Sequence, residues 1–417
     1  MANTLTTIDM VARESLRIAH EKLSFLGTID RSYDNSYAKE GAKIGDTLRV
    51  RNPNQYTRRQ GSRVMAVQDQ NETTQSVTVA TQDGVDMKWN SAEWKLSIDE
   101  YSRRYIEPAV SVLVSGIEGD VLSAVTKDVY QLTGTAGTVV GASADISAIT
   151  DARAKLNQQL APKDGNRNVQ FDSVTMGTIV NGVQGLFHDG GQVSESFREG
   201  FISRNAMADF YENEKTYVHT NGTDSDVAWA VDDTTRLATG DADENNSVNV
   251  LNFDAMGTVV PTVGTVFTID TVYDCHPETK AAYSHRKQLV ITSVGSISSN
   301  QADITFAPAL YAAGPKQNVS ITGTTFASIE DDATVQHGAA SASLQQNLMY
   351  HKDAFTFVTA DLPLYADSDK AVRRQKDGLS LRVWQGSDIR NDELLLRLDI
   401  LYGWKTLRPE WACRISN

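Results

Sequence analysis

Cysteine is nearly missing from this chain. Cys275 and Cys413 are its only two, 138 positions apart, so no disulfide framework holds the fold and a reduced compartment is expected. Long apolar runs are missing too. The uncharged apolar stretches fall short of the roughly eighteen residues of a membrane span, so no membrane partner is expected. The opening MANTLTTIDMVARESLRIAH contains no apolar segment leading to a cleavage site, and no secretory signal is read there. A basic surplus is also lacking: 39 Lys and Arg face 53 Asp and Glu, a net charge of -14. Nucleic-acid backbones are held largely by Lys and Arg displacing counterions, so this balance excludes a dedicated nucleic-acid binder. The phosphate-loop, dinucleotide, zinc-protease and nucleophile-elbow motifs are absent, and no enzyme class is assigned.

What is present describes a soluble globular protein. At about 150 residues per domain, 417 residues suggest two to three domains, and 40% hydrophobic with 22% charged residues is ordinary globular usage. The acidity is concentrated. Asn221 to Gln345 carries 15 acids and 5 bases, a net of -10, whereas Gln346 to Asn417 carries 10 acids and 11 bases, a net of +1. The middle block therefore reads as a separate unit.

Patterning divides the rest. Leu16, Ala19, Leu23 and Leu26 recur at helical spacing among charged residues, giving an amphipathic arm that either packs on its own domain or grips a partner. KIGDTLRVRNP and QSVTVATQDGVDMKW alternate as strands, with a turn expected at Asp83-Gly84. The long polar loop between them carries Arg58, Arg59 and Arg63. A projecting hairpin exposes strand edges, so a neighbouring surface is expected to cover it. From Ser91 to Gln131 the chain reads as helix, with Pro108 in a first turn and one apolar stripe from Val110 to Val129. DISAITDARAKLNQQLAPKDGNR is a further helix, and the region to Glu214 mixes strand and short helices in an α+β manner. The acidic block holds VGTVFTIDTV, KQLVITSV, QADITFAPA and NVSITG, short alternating runs that suggest a small barrel or sandwich inserted into an α+β host.

Candidate chemistry is thin. Asp241, Asp243 and Asn245 imitate the start of a calcium loop, but Asn246 and Asn252 stand where glycine and a bidentate glutamate belong. Cys275, His276 and His285 lack a fourth ligand at metal spacing. His188-Asp189 has no nucleophile partner. No catalytic, cofactor or metal residue is assigned.

Four segments in order resemble one family. They are KIGDTLRVRNPNQYTRRQG with QDGVDMKW, SIDEYSRRYIEPAVSVLVSGIEGDVL, GLFHDGGQVSESFREGFISRNAMADFYENE, and the ending Leu401-Tyr402-Gly403-Trp404-Lys405-Thr406-Leu407-Arg408-Pro409-Glu410 with Cys413-Arg414-Ile415. Together they resemble the major capsid (coat) proteins of short-tailed phages of the Salmonella lambdoid type. That resemblance implies the tailed-phage and herpesvirus capsid fold with an inserted β-barrel. It implies an arm over 1–35, an extended hairpin loop with flanking strands over 36–90, and a peripheral domain with a spine helix over 91–140. An axial domain over 141–220, the barrel over 221–345 and closing strands over 346–417 follow. It further implies a virion protein, assembled in the host bacterial cytoplasm into pentamers and hexamers of an icosahedral shell. Its partners would be copies of itself, a scaffolding protein, a portal protein, and double-stranded DNA enclosed without sequence-specific binding.

The physical reading agrees, because a closed shell needs heterologous contacts made by elements that reach neighbours. Arg58, Arg59 and Arg63 are the expected intersubunit contacts, a solvated loop being the alternative. Arg373 and Arg374 are placed beside them as contacts, either meeting the acidic block or standing as a solvated pair. Tyr402 and Trp404 are expected to pack a core strand. Two other readings stay open: an encapsulin-like compartment shell, and a β-rich carbohydrate-binding protein or glycosidase supported by the barrel alone.

Overall fold

The computed structural model describes residues 8–31, 47–59, 61, 65, 67, 72–90, 102–142, 146–183, 204–222, 229–233, 236, 247–254, 261–322, 326–364, 370–376, 378–388, 390 and 393–417. In chain order the elements begin with helices α1 (Ile8–Lys22) and α2 (Phe25–Thr28) and strands β1 (Thr47–Arg51), β2 (Thr74–Thr78) and β3 (Thr81–Asn90). Helix α3 (Glu107–Asp128), entered through a wider turn over Ser102–Ile106, is followed by β4 (Leu132–Thr133), α4 (Ser147–Gln158), β5 (Arg167–Phe171) and α5 (Ser173–Val183). Then come β6 (Arg204–Asn205), β7 (Ala208–Glu212), β8 (Tyr217–Thr220), β9 (Ala230–Val231), β10 (Val248–Asp254), β11 (Val266–Cys275) and β12 (Ala282–Val294). The chain continues through β13 (Ala302–Leu310), β14 (Val319–Ile321), β15 (Thr334–Gln336), β16 (Ser343–His351) and β17 (Phe355–Ala360). It closes with β18 (Lys370–Lys376), β19 (Leu379–Asp388), β20 (Glu393–Thr406) and β21 (Ala412–Ser416).

Two compact units divide these elements. The first comprises Met1–Arg51, Thr74–Leu122 and Phe355–Leu407. Its centre is β20, fourteen residues long. β3 runs along one edge from Glu393 to Tyr402, while β19 and then β17 pair with successive halves of the other edge, and β18 extends the sheet beyond β19. Apolar side chains of β19 and β20, among them Leu381, Val383, Leu396 and Leu398, are buried, and α1 packs on β18 and β19 through Val11, Ala12, Leu16 and Ala19. The helical spacing therefore marks a face that docks on the chain's own sheet. β1 and β2 form an antiparallel pair whose foot, Val77 with Leu48 and Val50, joins a core cluster containing Val358 and Leu401.

The turn expected at Asp83-Gly84 is not there. Both residues lie inside β3, and the chain breaks instead at Val79 and Ala80. Gly84 serves close approach: a Cβ on it would stand 2.6 Å from the backbone oxygen of Leu398 and from the carboxylate of Asp399. A lone glycine in a strand marks such a meeting as readily as a turn. Asp399, fully buried, is held there by Arg382 at 2.5 Å and Arg397 at 2.8 Å.

The second unit comprises Asn52–Thr73, Ser123–Ala354 and Arg408–Asn417. Its host sheet runs β4-β21-β16-β5-β7-β6, with β8 also on β16. The β4/β21 and β5/β7 pairs are parallel. Helices α4 and α5 cover it, burying Ile149, Ala152, Leu156, Met176 and Ile179 against Val169, Phe171, Phe210, Met349 and Ile415. The other sheet lies between Ala230 and Gln336, in the order β14-β11-β12-β13-β10-β9, with β15 on β11. It closes on itself, since Ala230 bridges Ala333 and the Thr334 amide donates to the Trp229 oxygen at 2.8 Å, joining β9 to the β15 segment. The order β10-β13-β12-β11 is that of a Greek key. Inside are Phe253, Phe267, Phe306, Trp229 and a shell of Leu, Ile and Val, with Phe267 meeting Phe253 and Phe306 edge to face at 6.0 Å each. The alternating runs of the acidic block thus make a barrel with apolar residues inward and the charge outside.

One described helix, Arg104–Asp128, is long and apolar enough by length and composition to cross a membrane, contrary to the reading from uncharged runs. Its stripe of Val110, Leu113, Val114, Ile117, Val121 and Leu122 is instead buried within the protein. Glu118, midway along, is fully buried and accepts hydrogen bonds from the Ser24 amide and hydroxyl, each 3.0 Å, and from the Phe25 amide. The amides are donors at the start of α2 that have no partner within that helix, so a buried carboxylate of the spine helix caps its neighbour.

Candidate assembly interface

The loop between β1 and β2 is built to be seen. Tyr56 is 55% exposed, Met65 79% and Val67 80%. Arg58 and Arg59 are exposed on the same stretch, whereas Arg63 lies outside the described residues. Apolar side chains at such exposure lose their hydration penalty only when another surface covers them. Arginines flanking an apolar tip supply charge where a partner's rim would sit.

Arg373 and Arg374 occupy β18. Arg373 reaches Asp361 at 3.2 Å and donates to the Leu362 oxygen, and Arg374 is ion-paired with Asp9 of α1. The partners found for both are in the first unit, and the Arg374–Asp9 pair fastens the helical arm to its sheet. Tyr402 is buried, stacked between Phe357 at 5.7 Å and Trp404 at 5.8 Å, and its hydroxyl donates to Asp83 at 2.7 Å. Burial and that carboxylate push the Tyr402 hydroxyl far up from its ordinary range.

The remaining candidates resolve into turns and packing. His276 accepts amide hydrogen bonds from Glu278 and Thr279, and Cys275 is buried, with its thiol pushed up to about 11 by burial first and Asp274 second. His285 stacks on Tyr283 at 5.2 Å. Among the described residues no three His, Cys, Asp or Glu side chains stand as a metal-holding group. The calcium-like run at Asp241 and the His188-Asp189 turn lie outside the described residues.

A second feature escaped the sequence reading: a polar clamp between the barrel and the host sheet. Lys287 of β12, 2% exposed, pairs with Asp274 of β11 at 2.7 Å and lies over the Tyr130 ring at 5.1 Å. Asp274 also accepts from the host's Gln159 at 3.0 Å and the Cys275 amide at 2.9 Å, and meets His285 at 3.5 Å. Burial opposes the charge of Asp274, but His285 and Lys287 outweigh it and hold the carboxyl below its usual range. Beside this pair, Gln288 accepts from the Leu132 amide and from Lys155, and returns a bond to the Leu132 oxygen.

Arg414, fully buried in β21, donates to the Gly264 oxygen at 2.7 Å and to the Lys127 oxygen at 2.8 Å. It thereby ties the turn before β11 and the end of α3 to the C-terminal strand. Burial pulls its guanidinium down to about 10, which leaves it charged at neutral pH. Asn221 closes the neck through which the chain enters and leaves the barrel, donating to the oxygens of His337 and Ala339 at 2.9 Å each.

Among the described residues the features are a helical arm docked on its own sheet, exposed apolar side chains at Met65 and Val67, and a barrel clamped to an α+β host. This is the organisation of a phage coat subunit. The chain belongs to the family described as P22 coat protein, gene protein 5, whose model matches residues 29–414. Its fold is the tailed-phage capsid fold, a mixed α+β architecture dominated by strands, and its place is the capsid of the virion as a structural, non-enzymatic shell subunit. Comparison with curated proteins finds no match.

Among solved structures the chain is similar to one from Mycobacterium phage Che8, with TM-score 0.48 and 11% identity over 94% of this chain and 90% of that one. It is also similar to the capsid of cyanophage P-SCSP1u (TM-score 0.43, 10% identity, 90% and 83% covered). A third likeness is to a virus-like particle from Pyrococcus furiosus (0.36, 8%, 98% and 98%).

Proposed function

We propose that copies of this chain close into pentamers and hexamers of an icosahedral shell around double-stranded DNA. In this reading a separate scaffolding protein directs assembly in the host bacterial cytoplasm, and a portal protein occupies one position of the shell. The segments play the parts the family resemblance gives them: arm over 1–35, extended loop over 36–90, peripheral spine over 91–140, axial host over 141–220, inserted barrel over 221–345, and axial and peripheral strands over 346–417. Arg58, Arg59 and Arg63 contact a neighbouring copy, and Arg373 and Arg374 are further intersubunit contacts in this reading. One observation carries the reading: the loop tip with Met65 and Val67 about four-fifths exposed, flanked by Arg58 and Arg59. Long-range self-repulsion of an acidic subunit is modest at physiological salt, so many weak contacts of this kind can reinforce one another in a closed assembly.

The test is the Arg58→Glu, Arg59→Glu variant, examined with its scaffolding protein by sedimentation and electron microscopy. It should fold as the parent does, by circular dichroism, yet remain as small species while the parent forms shells. Shells of normal size and yield from the variant refute the loop contact. A parent that never assembles refutes the whole reading.

A further inference from the structure

Folded chains ordinarily blunt the edges of their sheets with proline, a bulge or a shortened strand, because an open edge invites another strand. β3 is not blunted. It is ten residues long, contains no proline, and keeps an unbroken register with β20 from Asn90 opposite Glu393 to Thr81 opposite Tyr402. Among the described residues no strand pairs with its other edge. Along that edge of an antiparallel strand, alternate residues turn both N–H and C=O outward. The core face of the sheet also stops short here. Met87 and Val85 stand opposite Leu396 and Leu398, which are buried, yet both are only half-buried themselves.

The charges on the opposite face of β3 decide what fits this edge. Asp86 and Lys88 are 74% and 68% exposed, and their ion-pair partners, Arg397 at 3.5 Å and Glu393 at 2.9 Å, both belong to β20 on the paired side. A lysine on an edge ordinarily repels a second strand, but here an acid stands two residues before it. Let two copies of β3 lie antiparallel about a two-fold axis through Met87. Lys88 then comes opposite the partner's Asp86, and Asp86 opposite the partner's Lys88, all on one face. Moving the axis to Asp86 or to Lys88 sets that residue against its own copy, like charge on like. No other axis along the strand brings both charges against their opposites. In this register the two strands overlap from Gly84 to Asn90, and the half-buried apolar row runs on from one copy into the next.

We infer that β3 is a self-complementary contact surface, along which two copies of this chain join edge to edge into one continuous sheet across a two-fold axis. The inference rests on the reading of the chain as a shell subunit. An icosahedral shell contains two-fold axes, and a contact across one uses the same patch on both copies. Ring contacts need two different patches, so this edge joins rings rather than closing them. The backbone ladder supplies the adhesion, and the two exposed charge pairs set register more than strength.

The experiment is a cross-link. Met87→Cys places one thiol on the axis, about 5 Å from its copy, and Cys275 and Cys413 are buried and do not compete. The full chain is assembled with its scaffolding protein, particles are separated from small species by sedimentation, and both fractions are mildly oxidised and run on non-reducing gels. Met87→Cys should give a covalent dimer. Val85→Cys, on the same strand and face, lies about 14 Å from its copy in this register and should give about tenfold less. Adding Asp86→Lys to Met87→Cys sets like charges opposite each other twice per dimer and should lower the yield about tenfold. Should Met87→Cys fold poorly, the exposed positions decide: Asp86→Cys mixed with Lys88→Cys should cross-link, and either variant alone should not.

Particles in normal yield that give no Met87 dimer overturn the contact and leave the shell reading standing. Equal dimer from Val85→Cys overturns it as well, and so do β3 amides protected from exchange in particles without the dimer, which would assign the edge to another segment. A Met87 dimer from a chain that never forms particles supports the contact and overturns the shell reading. Neither particles nor dimer overturns both.

Discussion

Replacing Lys287 by Met should loosen the barrel from its host more than any other single change at their interface. The substitution keeps the length of the side chain over Tyr130 and removes only the charge. What it leaves is Asp274, one-tenth exposed, without the ammonium 2.7 Å away. Breaking a buried pair on one side costs about 3–5 kcal/mol, because the surviving charge is neither solvated nor matched. Gln159, the Cys275 amide and His285 still face Asp274, so the expected loss is near the lower end, about 3 kcal/mol. Adding Asp274→Leu removes the stranded charge, and the double variant should return to within about 1 kcal/mol of the parent.

A chain of two units does not unfold in one step, so the readout is amide hydrogen exchange of Phe267–Ile269 and Leu289–Ile291 in β11 and β12. The carboxyl of Asp274 is held below its unfolded value. Its contribution is therefore full above about pH 4 and disappears as the pH falls through the folded value. A single variant that costs less than 1 kcal/mol, or a double variant worse than the sum of the singles, would refute this account of the clamp.

Much of the fold was legible because apolar period and burial agree. The stripe of α3, the docked face of α1 and the alternating barrel strands each put a repeating apolar row on one face, and each row proved to be core. The family resemblance added the order of the segments. The clamp was hidden for a physical reason: Lys287, Asp274 and Arg414 are charges inside strands, and a charge in an alternating strand is ordinarily its solvent side. WACRIS held one signal, a single arginine in a run whose neighbours are all apolar or small, a place where a buried cation must find oxygen acceptors. Gly84 misled because a glycine beside aspartate reads as a hairpin turn, while the approach of β20 to β3 that requires it involves residues more than 300 positions away. The loop was legible as an exposed stretch between two strands, but the contact proposed for it was not, since the surface proposed to cover it is on another copy.

Two further outcomes are expected. Glu118→Ala should destabilise the first unit by about 1–3 kcal/mol in thermal or denaturant melts, since the amides of Ser24 and Phe25 lose their buried acceptor. Unchanged stability would remove the carboxylate from the account of how α2 is held. The second outcome concerns acid. His219 is buried, with Nδ1 facing the Tyr217 hydroxyl at 3.1 Å and Nε2 facing Thr265, just before β11 of the barrel, at 3.0 Å. Burial first, then the nearby Arg414 and Lys127, pull it down to about 4 from an ordinary 6.5. His337, at the barrel's exit, is likewise pulled to about 4 by burial, Lys155 and Arg414.

A histidine whose folded value lies below its unfolded value costs nothing above pH 6.5, where it is neutral in both states. Between 6.5 and 4 the unfolded chain takes up the proton that the folded one refuses, so stability falls with pH, by up to about 3 kcal/mol for His219. Exchange at Val266 and Phe267 should therefore accelerate steadily from pH 6.5 down to 4, before Asp274 begins to protonate. His219→Gln keeps a hydrogen-bonding side chain and removes that titration, so its slope over this range should be visibly shallower. An identical slope in the variant would mean that His219 takes up its proton in the folded host sheet as readily as in the unfolded chain, which two adjacent cations in a dry site do not permit.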